Sequence, residues 1–417
     1  MTSNTIQPMS NKLSPLDHLE MLFNAQNNTS QVQLEAFTQL KENGLPTLRT
    51  ERWKYTPLRK AIHSDLSSDK AELSGLNKHP LISQLLNTDK NLEIVQIVNG
   101  QLHGEFNNKN AVIQLSDDFL EPHDLHQDRF INQLNLAFLR NNYQLQITGQ
   151  SNTLHVLHIH STKVNDLNAY QLCIDADDNS EAKILILITA DQQASTQVPV
   201  ISIDAGKNSD IEIYYCQDTS LETCILGQTN AQLQRDAVVS FVQIELGGNL
   251  VRHNIIADAL ESGSEFNLQS LFIQKERQHI DTHLDMYHHA ANTQATMLSK
   301  GILDDRSRCI FNGKIYVEKD AQLINANLNN DTLLLSKQAE INTKPELEIY
   351  ADDVKCAHGA TVGQLDEQAI FYLRSRGLSQ EQAENTLTAA FARQIYNGIV
   401  PAELTEFLDQ RLGFIET

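Results

Sequence analysis

The chain has 417 residues, with 41% apolar and 20% charged side chains and a formal net charge of −21. This composition is typical of a soluble globular protein, and the length exceeds what one domain usually holds. The negative charge argues against a nucleic-acid partner, because a polyphosphate would be repelled. The longest apolar run, residues 184–188, is too short to cross a bilayer, so no membrane association is expected.

Five cysteines are scattered along the chain, and no two of them form a Cys-x-x-Cys pair. A disulfide framework is therefore not expected, which fits a reducing cytosol. The first residues, Met1-Thr2-Ser3-Asn4-Thr5, contain no basic stretch followed by an apolar one and so predict no secretory signal. Together these features predict a cytoplasmic protein. The cysteines are Cys173, Cys216, Cys224, Cys309 and Cys356.

Residues 1–150 are predicted to form a mostly helical amino-terminal domain. Ser14-Pro15-Leu16-Asp17 has the features of a helix start: a capping hydroxyl, a proline in the first turn and an acid near the positive end. A second amphipathic helix is expected to end at Gly44. Asn99-Gly100 predicts a tight hairpin, and the segment from Phe130 to Leu139 predicts one more helix.

Residues 151–363 are predicted to form a mainly β solenoid, because a four-residue signature recurs there. It consists of a polar or turn residue, a small or aliphatic one, a variable one and a larger apolar one. The steps between copies are 29, 26, 27, 31, 26 and 18 residues, about one coil of two or three short strands each. A β-sandwich is the alternative source of many short strands. The copies begin at Glu181, Asp210, Asp236, Gly263, Gln294, Asp320 and Gln338.

Residues 364–417 are predicted to form a carboxy-terminal helical domain. One helix is expected from Asp366 to Arg376, before Gly377. Ser379-Gln380-Glu381-Gln382 is a capping box that begins a second helix, and Pro401 begins a third. This unit is expected to cap the solenoid, to dock a partner, or both.

Cys356 and His358 are the candidate metal ligands. They lie two residues apart in a strand-like run, so both side chains are expected on one face, roughly 6.6 Å apart. A thiol and an imidazole could bind one metal atom, but two ligands do not close a site, so further ligands must come from elsewhere. The alternative interpretation is a buried thiol and a hydrogen-bonded histidine that close a coil.

Other conspicuous residues favour structural roles. His158 and His160 share one face of a predicted strand, and His279 and His283 lie four residues apart in another. Neither pair has a carboxylate or a cysteine at matching spacing, which argues against metal binding. Trp53, the only tryptophan, is expected to anchor the amino-terminal helices.

The sequence contains no complete catalytic motif and no phosphate-binding glycine loop, so we expect neither catalysis nor nucleotide binding by this chain. Asp352 and Asp353 are adjacent, and on a strand they would face opposite ways, which is a poor arrangement for acid–base catalysis. Four asparagines are expected to lie in a coil turn, where their amides would bond to the backbone. These are Asn325, Asn327, Asn329 and Asn330.

Three segments resemble the SufB/SufD family of iron–sulfur cluster assembly scaffolds. They are Arg49-Thr50-Glu51-Arg52-Trp53-Lys54-Tyr55-Thr56-Pro57-Leu58, Asp352-Asp353-Val354-Lys355-Cys356-Ala357-His358-Gly359-Ala360-Thr361-Val362-Gly363, and Phe371-Tyr372-Leu373-Arg374-Ser375-Arg376-Gly377-Leu378. The resemblance covers nearly the whole chain and is strongest over residues 295–391. The first segment, and the run that follows Cys356, are closer to the SufD members of the family than to the SufB members.

The resemblance implies a right-handed parallel β-helix flanked by helical domains. It also implies a scaffold that pairs with SufB through the β-helix and docks the SufC ATPase through the carboxy-terminal helices, about residues 366–412. The transient cofactor would be iron or a nascent iron–sulfur cluster, shared with the partner. His358 would contribute to cluster assembly at the SufB interface, where a SufB cysteine supplies a thiolate, and Cys356 is the lesser candidate.

Two alternatives to this function remain. One is a β-helix carbohydrate-active enzyme that uses acids such as Asp352 on an exposed strand face, although such enzymes are normally secreted. The other is a purely structural pairing module in which Cys356 and His358 are only packed. The isolated chain forming a homodimer also remains open.

Overall fold

The structure is a computed structural model that describes residues 14–26, 29–63, 65–67, 79–89, 92–106, 109–116, 129–191 and 195–414. Met1-Thr2-Ser3-Asn4-Thr5, where the sequence predicts no secretory signal, lie outside these ranges. Within the ranges, no helix combines the length and the hydropathy that a membrane span requires.

Strands make up about half of the described residues, and those from β4 onward have nine to twelve residues each. In chain order they are β1 (Ile94–Val98), β2 (Gln101–His103), β3 (Ala111–Leu115), β4 (Leu139–Ile147), β5 (Gln150–Ser161), β6 (Asp166–Ala176), β7 (Glu181–Ala190), β8 (Ser195–Ala205), β9 (Asp210–Thr219), β10 (Thr223–Leu233), β11 (Val238–Gly247), β12 (Leu250–Ala259), β13 (Glu265–Gln274), β14 (His279–His288), β15 (Gln294–Leu303), β16 (Arg308–Val317), β17 (Ile324–Leu334), β18 (Glu340–Ile349) and β19 (Val354–Gly363).

From β4 onward, successive strands alternate between two sheets, so each coil contributes one strand to each sheet. The ten-stranded sheet has the order β19-β17-β15-β13-β11-β9-β7-β5-β1-β2, and the nine-stranded sheet has the order β18-β16-β14-β12-β10-β8-β6-β4-β3. The strands of successive coils pair in parallel. A parallel ladder between coils confirms the predicted β-helix, and the sandwich alternative, which would be antiparallel, is wrong.

The recurring signature marks the entry of the chain into these strands. The first six copies lead into β7, β9, β11, β13, β15 and β17 of the ten-stranded sheet. The seventh copy leads into β18 of the nine-stranded sheet, which explains why its step is only 18 residues. The signature thus marks strands of the ten-stranded sheet in six coils and a strand of the other sheet in the last coil.

The core lies between the two sheets, where the register stacks equivalent side chains from one coil to the next. Successive coils place their apolar residues directly above one another, which buries a continuous row along the axis of the solenoid. One such row ends at the last coil. It consists of Ala182, Ile211, Val239, Phe266, Ala295, Ala326 and Cys356.

Helices flank the solenoid at both ends of the chain. They are α1 (Pro15–Asn24), α2 (Gln31–Asn43), α3 (Pro80–Thr88), α4 (Phe130–Ala137), α5 (Glu367–Ser375), α6 (Gln380–Tyr396) and α7 (Ala402–Arg411). α1, α2 and α4 share an apolar cluster with the outer face of the nine-stranded sheet, whereas α3 belongs to the cluster on the outer face of the ten-stranded sheet. α6 packs on the outer face of β13 and β15, on the flank of the solenoid.

Local sequence signals predicted the element boundaries well. Ser14 forms a capping box at the start of α1, Ser379 does the same for α6, and α2 ends at Gly44. The hairpin around Asn99-Gly100 is confirmed, because β1 and β2 pair in antiparallel fashion and both turn residues have positive φ, as a type I′ turn requires.

The division of the chain into three domains at residues 150 and 363 stays a prediction. The described strands β1 to β4, all before residue 150, belong to the two sheets of the solenoid.

Trp53 lies in the apolar cluster of the amino-terminal helices, as predicted, and also contacts the solenoid. Its side chain is 1% exposed and meets the ring of Phe130 edge-on, with ring centroids 5.2 Å apart. The guanidinium of Arg252, on β12, lies 4.0 Å from the indole centroid, a cation–π geometry in a dry environment. The indole therefore covers both the ring of Phe130 and the buried guanidinium of Arg252.

We expect Trp53→Ala to lower the free energy of unfolding by about 3–5 kcal/mol, since it leaves a large cavity and uncovers the Arg252 guanidinium. Urea denaturation measures this. Tyr55→Ala is the matched control, because this ring of the same segment is 48% exposed. Equal effects of the two substitutions would contradict the anchoring role.

Candidate functional site

The solenoid has an open end at its last coil. β18 and β19 are the outermost strands of their sheets, and neither has a further strand neighbour on its outer side among the described residues. The inner side chains of this coil pack against the core but stay only partly buried. Unpaired strand edges and half-covered apolar side chains together form a surface suited to binding another chain. The partly buried residues include Ile341, Leu347, Ile349, Val354 and Cys356.

His358 lies on this open coil and faces the interior. It pairs in register with the core residue Leu328 of β17. His358 is nevertheless exposed, because no coil follows β19. Its row begins at the buried His155 on β5 and is apolar in the six coils between the two imidazoles. Those apolar members are Leu328, Met297, Leu268, Phe241, Ile213 and Ile184.

Cys356 faces the interior beside His358, as the spacing predicts. It pairs with Ala326 and is half-buried against the core. Burial raises the pKa of the Cys356 thiol, so the thiol of the isolated chain is protonated near neutral pH. Among the described residues, neither Cys356 nor His358 belongs to a group of three His, Cys, Asp or Glu ligands close enough to bind a metal ion. The two donors are therefore an incomplete set.

Two expectations about neighbouring residues are wrong. Asp352 and Asp353 lie in a bend before β19 and not on a strand, so the strand-face acid of the carbohydrate-active alternative is not present there. The asparagine run occupies β17 and not a turn, because the parallel ladder outweighs the low strand propensity of asparagine. Asn325 and Asn327 are exposed, whereas Asn330 is buried inside.

The two histidine pairs lie on strands and are buried among hydrogen-bonding groups. On β5, a ring nitrogen of His158 and one of His160 lie 2.8 and 2.7 Å from the hydroxyl of Thr189. On β14, Nε2 of His283 lies 2.9 Å from a carboxylate oxygen of Asp281. These contacts account for the rings as parts of the fold, and they lie apart from the open coil.

A buried ion-pair cluster under the amino-terminal segment has no signal in the sequence. Nη1 of Arg252 donates to Oδ2 of Asp281 at 2.5 Å and to the carbonyl of Arg52 at 2.6 Å. Burial alone would raise the pKa of Asp281, but Arg252 and His283 outweigh it and keep the pKa of that carboxyl well below its usual range. Arg252 and Asp281 are 29 residues apart and become neighbours through the register of β12 and β14.

A second group that sequence reasoning missed lies on β6 and β8. Ligand atoms of Cys173, Asp175 and Asp204 all lie within 4.8 Å of one another. Burial and the two carboxylates raise the pKa of the Cys173 thiol well above its ordinary value. The Cys-x-Asp spacing is visible in the sequence and places both side chains on one face of a strand, but Asp204 joins them only through the strand register.

Comparison with known proteins identifies relatives that assemble iron–sulfur clusters. Residues 158–391 match the family model described as the SufBD core domain of the SUF system for FeS cluster assembly. The iron–sulfur cluster assembly protein SufD of Escherichia coli is 28% identical over 416 residues, 97% of each chain.

Other relatives match about half of the chain. A SufBD family protein of Synechocystis sp. is 36% identical over 211 residues, which cover 51% of this chain and 47% of the relative. The iron–sulfur cluster assembly protein SufB of Bacillus subtilis is 25% identical over 221 residues, which cover 49% of this chain and 48% of the relative. Similarity to SufD over the full length, against half the length for this SufB, supports the predicted likeness to the SufD members.

The buried histidines predict a loss of stability in acid. Desolvation lowers the pKa of His158 to about 3 and those of His279 and His288 to about 4. The unfolded chain takes up protons at these rings below about pH 6.5, whereas the folded chain does not. Stability is therefore expected to fall by about 2 kcal/mol per ring between pH 6.5 and 5.

Urea midpoints at pH 7.5 and 5.0 measure this loss. His288→Asn should reduce the difference between the two midpoints, whereas Asn327→Ala, at an exposed residue that does not titrate, should leave it unchanged. A pH dependence that is as steep in His288→Asn as in the unaltered chain would contradict the assignment.

Proposed function

This chain belongs to the SufBD core family of the SUF iron–sulfur cluster assembly system, and on that premise we propose that it is a scaffold subunit rather than an enzyme. In this proposal its solenoid pairs end to end with that of a SufB chain, and His358 binds iron or a nascent cluster at the junction. The observation that carries the proposal is the exposed imidazole of His358 on the open coil, where the six preceding coils have apolar side chains at the same position.

An incomplete ligand set is what a shared site requires. Neutral imidazole and thiolate are both suitable donors for iron, and iron–sulfur sites usually collect about four of them. His358 offers one donor and Cys356 a second, so a thiolate from the SufB chain would have to complete the coordination. No nucleotide is needed on this chain, because the ATPase of the proposed complex is SufC.

The open coil supports pairing through the β-helix. An approaching solenoid could continue the ladders of β18 and β19, which would satisfy their free backbone groups and cover the half-buried side chains of the last coil. A homodimer of the isolated chain would use the same edges and is the competing arrangement in the absence of SufB.

All five cysteines are free thiols, which supports a cytoplasmic location.

The carboxy-terminal helices support docking of the SufC ATPase. Phe371 and Tyr372 on α5 are 73% and 57% exposed, an unusual position for two large aromatic side chains side by side. In the following helices, Arg393 of α6 donates two hydrogen bonds to Asp409 of α7, at 3.0 and 2.9 Å, which join these two helices. We propose that residues 364–417 act as a separate docking domain beside the solenoid domain of 151–363 and the amino-terminal domain of 1–150.

His358→Ala is expected to abolish cluster formation on the complex, because it removes the donor at the proposed junction. The complex with SufB and SufC should still assemble, since the side chain is exposed. Co-purification followed by anaerobic reconstitution with iron and sulfide, monitored by visible absorption, measures both outcomes.

Lys355→Ala is the matched control, since Lys355 is an exposed residue of the same strand that faces outward. Full cluster loading in His358→Ala would exclude the proposed site. Unchanged iron binding in the double variant Cys356→Ser/His358→Ala would instead support the purely structural pairing module.

The double substitution Phe371→Ala/Tyr372→Ala is expected to weaken SufC binding by about tenfold or more, as removal of exposed aromatic anchors usually does. Calorimetric titration of the purified chain with SufC measures the affinity. Tyr55→Ala, an exposed aromatic of the amino-terminal segment, should leave the affinity unchanged. Wild-type affinity in the double variant would contradict docking through α5 but would leave the proposed cluster site untouched.

A further inference from the structure

We propose that the outer face of the nine-stranded sheet carries a second metal site, formed by Cys173, Asp175 and Asp204, for one divalent transition-metal ion such as Fe²⁺ or Zn²⁺. The site would belong to this chain alone. It requires no partner, in contrast to the shared site proposed at the last coil.

The strand register brings the three donors together. Cys173 and Asp175 lie two residues apart on β6, so their side chains emerge on the same face. Asp204 is directly opposite Asp175 on β8. One ligand atom from each residue lies within 4.8 Å of the other two, and Sγ of Cys173 is 3.4 Å from Oδ1 of Asp175. Small side-chain rotations would bring all three within bonding distance of one ion.

A buried hydroxyl also faces this cluster. Ser202 lies opposite Cys173 on β8, is 7% exposed, and forms its side-chain hydrogen bond with the Cys173 thiol. On the other side, Nε2 of Gln144 donates to the second oxygen of Asp175 and so fixes the orientation of that carboxylate. An oriented ligand with a neighbouring polar group pointing into the site is the usual surrounding of a metal centre.

Charge gives a further reason for a cation at this position. Two carboxylates directly opposite each other on adjacent strands repel one another. A divalent ion between Asp175 and Asp204 would replace that repulsion with attraction. The fold does not require carboxylates at this face of the two strands. The pair two positions earlier on the same face, Cys173 and Ser202, contains none.

The donor set indicates the class of metal. A thiolate is a soft ligand that Mg²⁺ and Ca²⁺ avoid, whereas one sulfur with two carboxylate oxygens suits Fe²⁺, Co²⁺ or Zn²⁺. The three residues are only half-buried, so an ion can reach them from solvent.

Five strands separate β6 from β18 in this sheet, which puts the site roughly 29 Å from the last coil. The two sites can therefore be tested separately.

The experiment uses the full chain with the background substitutions Cys356→Ser and His358→Ala, which remove the donors of the last coil. Anaerobic titration with Co²⁺ should produce a thiolate-to-cobalt charge-transfer band that saturates at one ion per chain, and Zn²⁺ should displace it. Cys173→Ser should abolish the band. Asp204→Asn should weaken Co²⁺ binding by about tenfold or more.

The matched control is Asp177→Asn, which removes the same charge from an exposed carboxylate that follows β6 and lies outside the donor set. It should leave Co²⁺ affinity unchanged. The proposal is overturned if the background chain shows no such band, if the band survives in Cys173→Ser, or if Asp177→Asn weakens binding as much as Asp204→Asn. Circular dichroism of each variant verifies that the solenoid is intact.

Discussion

The backbone ladder between successive coils is the constraint on which the rest of the structure depends. Each strand from β5 to β17 uses both of its edges to pair with the coil before and the coil after, so the interior coils need no other partner. The last coil cannot do this, because β18 and β19 have a neighbour on one side only. The last coil therefore presents unpaired strand edges, and the side chains in its inner rows are accessible at the same surface.

This geometry explains how a residue of the core row can be a ligand. An imidazole at the position of Leu328 or Met297 would be sealed among apolar side chains, where an unpaired polar group is costly. One coil further along, at His358, the same inward direction leads to open space. A partner that covers the coil would then enclose the imidazole at the moment of pairing, in a drier environment that strengthens binding of a charged metal. The proposed ligand position and the proposed pairing surface are in this sense one feature.

Sequence reasoning succeeded where the signal is local. Capping boxes at Ser14 and Ser379, the Asn99-Gly100 turn and the coil-length repeat each depend on neighbouring residues, and each predicted its element correctly. It failed where the determinant is the register between coils. The asparagine run is a strand because β17 pairs with its neighbours in the sheet. Arg252 and Asp281, and likewise Cys173 and Asp204, lie about one coil apart in sequence, and no local pattern encodes that they meet.

The carboxy-terminal helices are coupled to the candidate site through a short link. β19 ends at Gly363 and α5 begins at Glu367, so residues 364–366 alone connect the strand that holds His358 to the helix with the exposed aromatics. α6, which follows, is fixed on β13 and β15 and joined to α7 through Arg393 and Asp409. A partner that pulls on α5 must therefore either bend the three linking residues or displace β19. Because β19 pairs on one edge only, it can move with fewer ladder bonds broken than the interior strands β5 to β17 of its sheet.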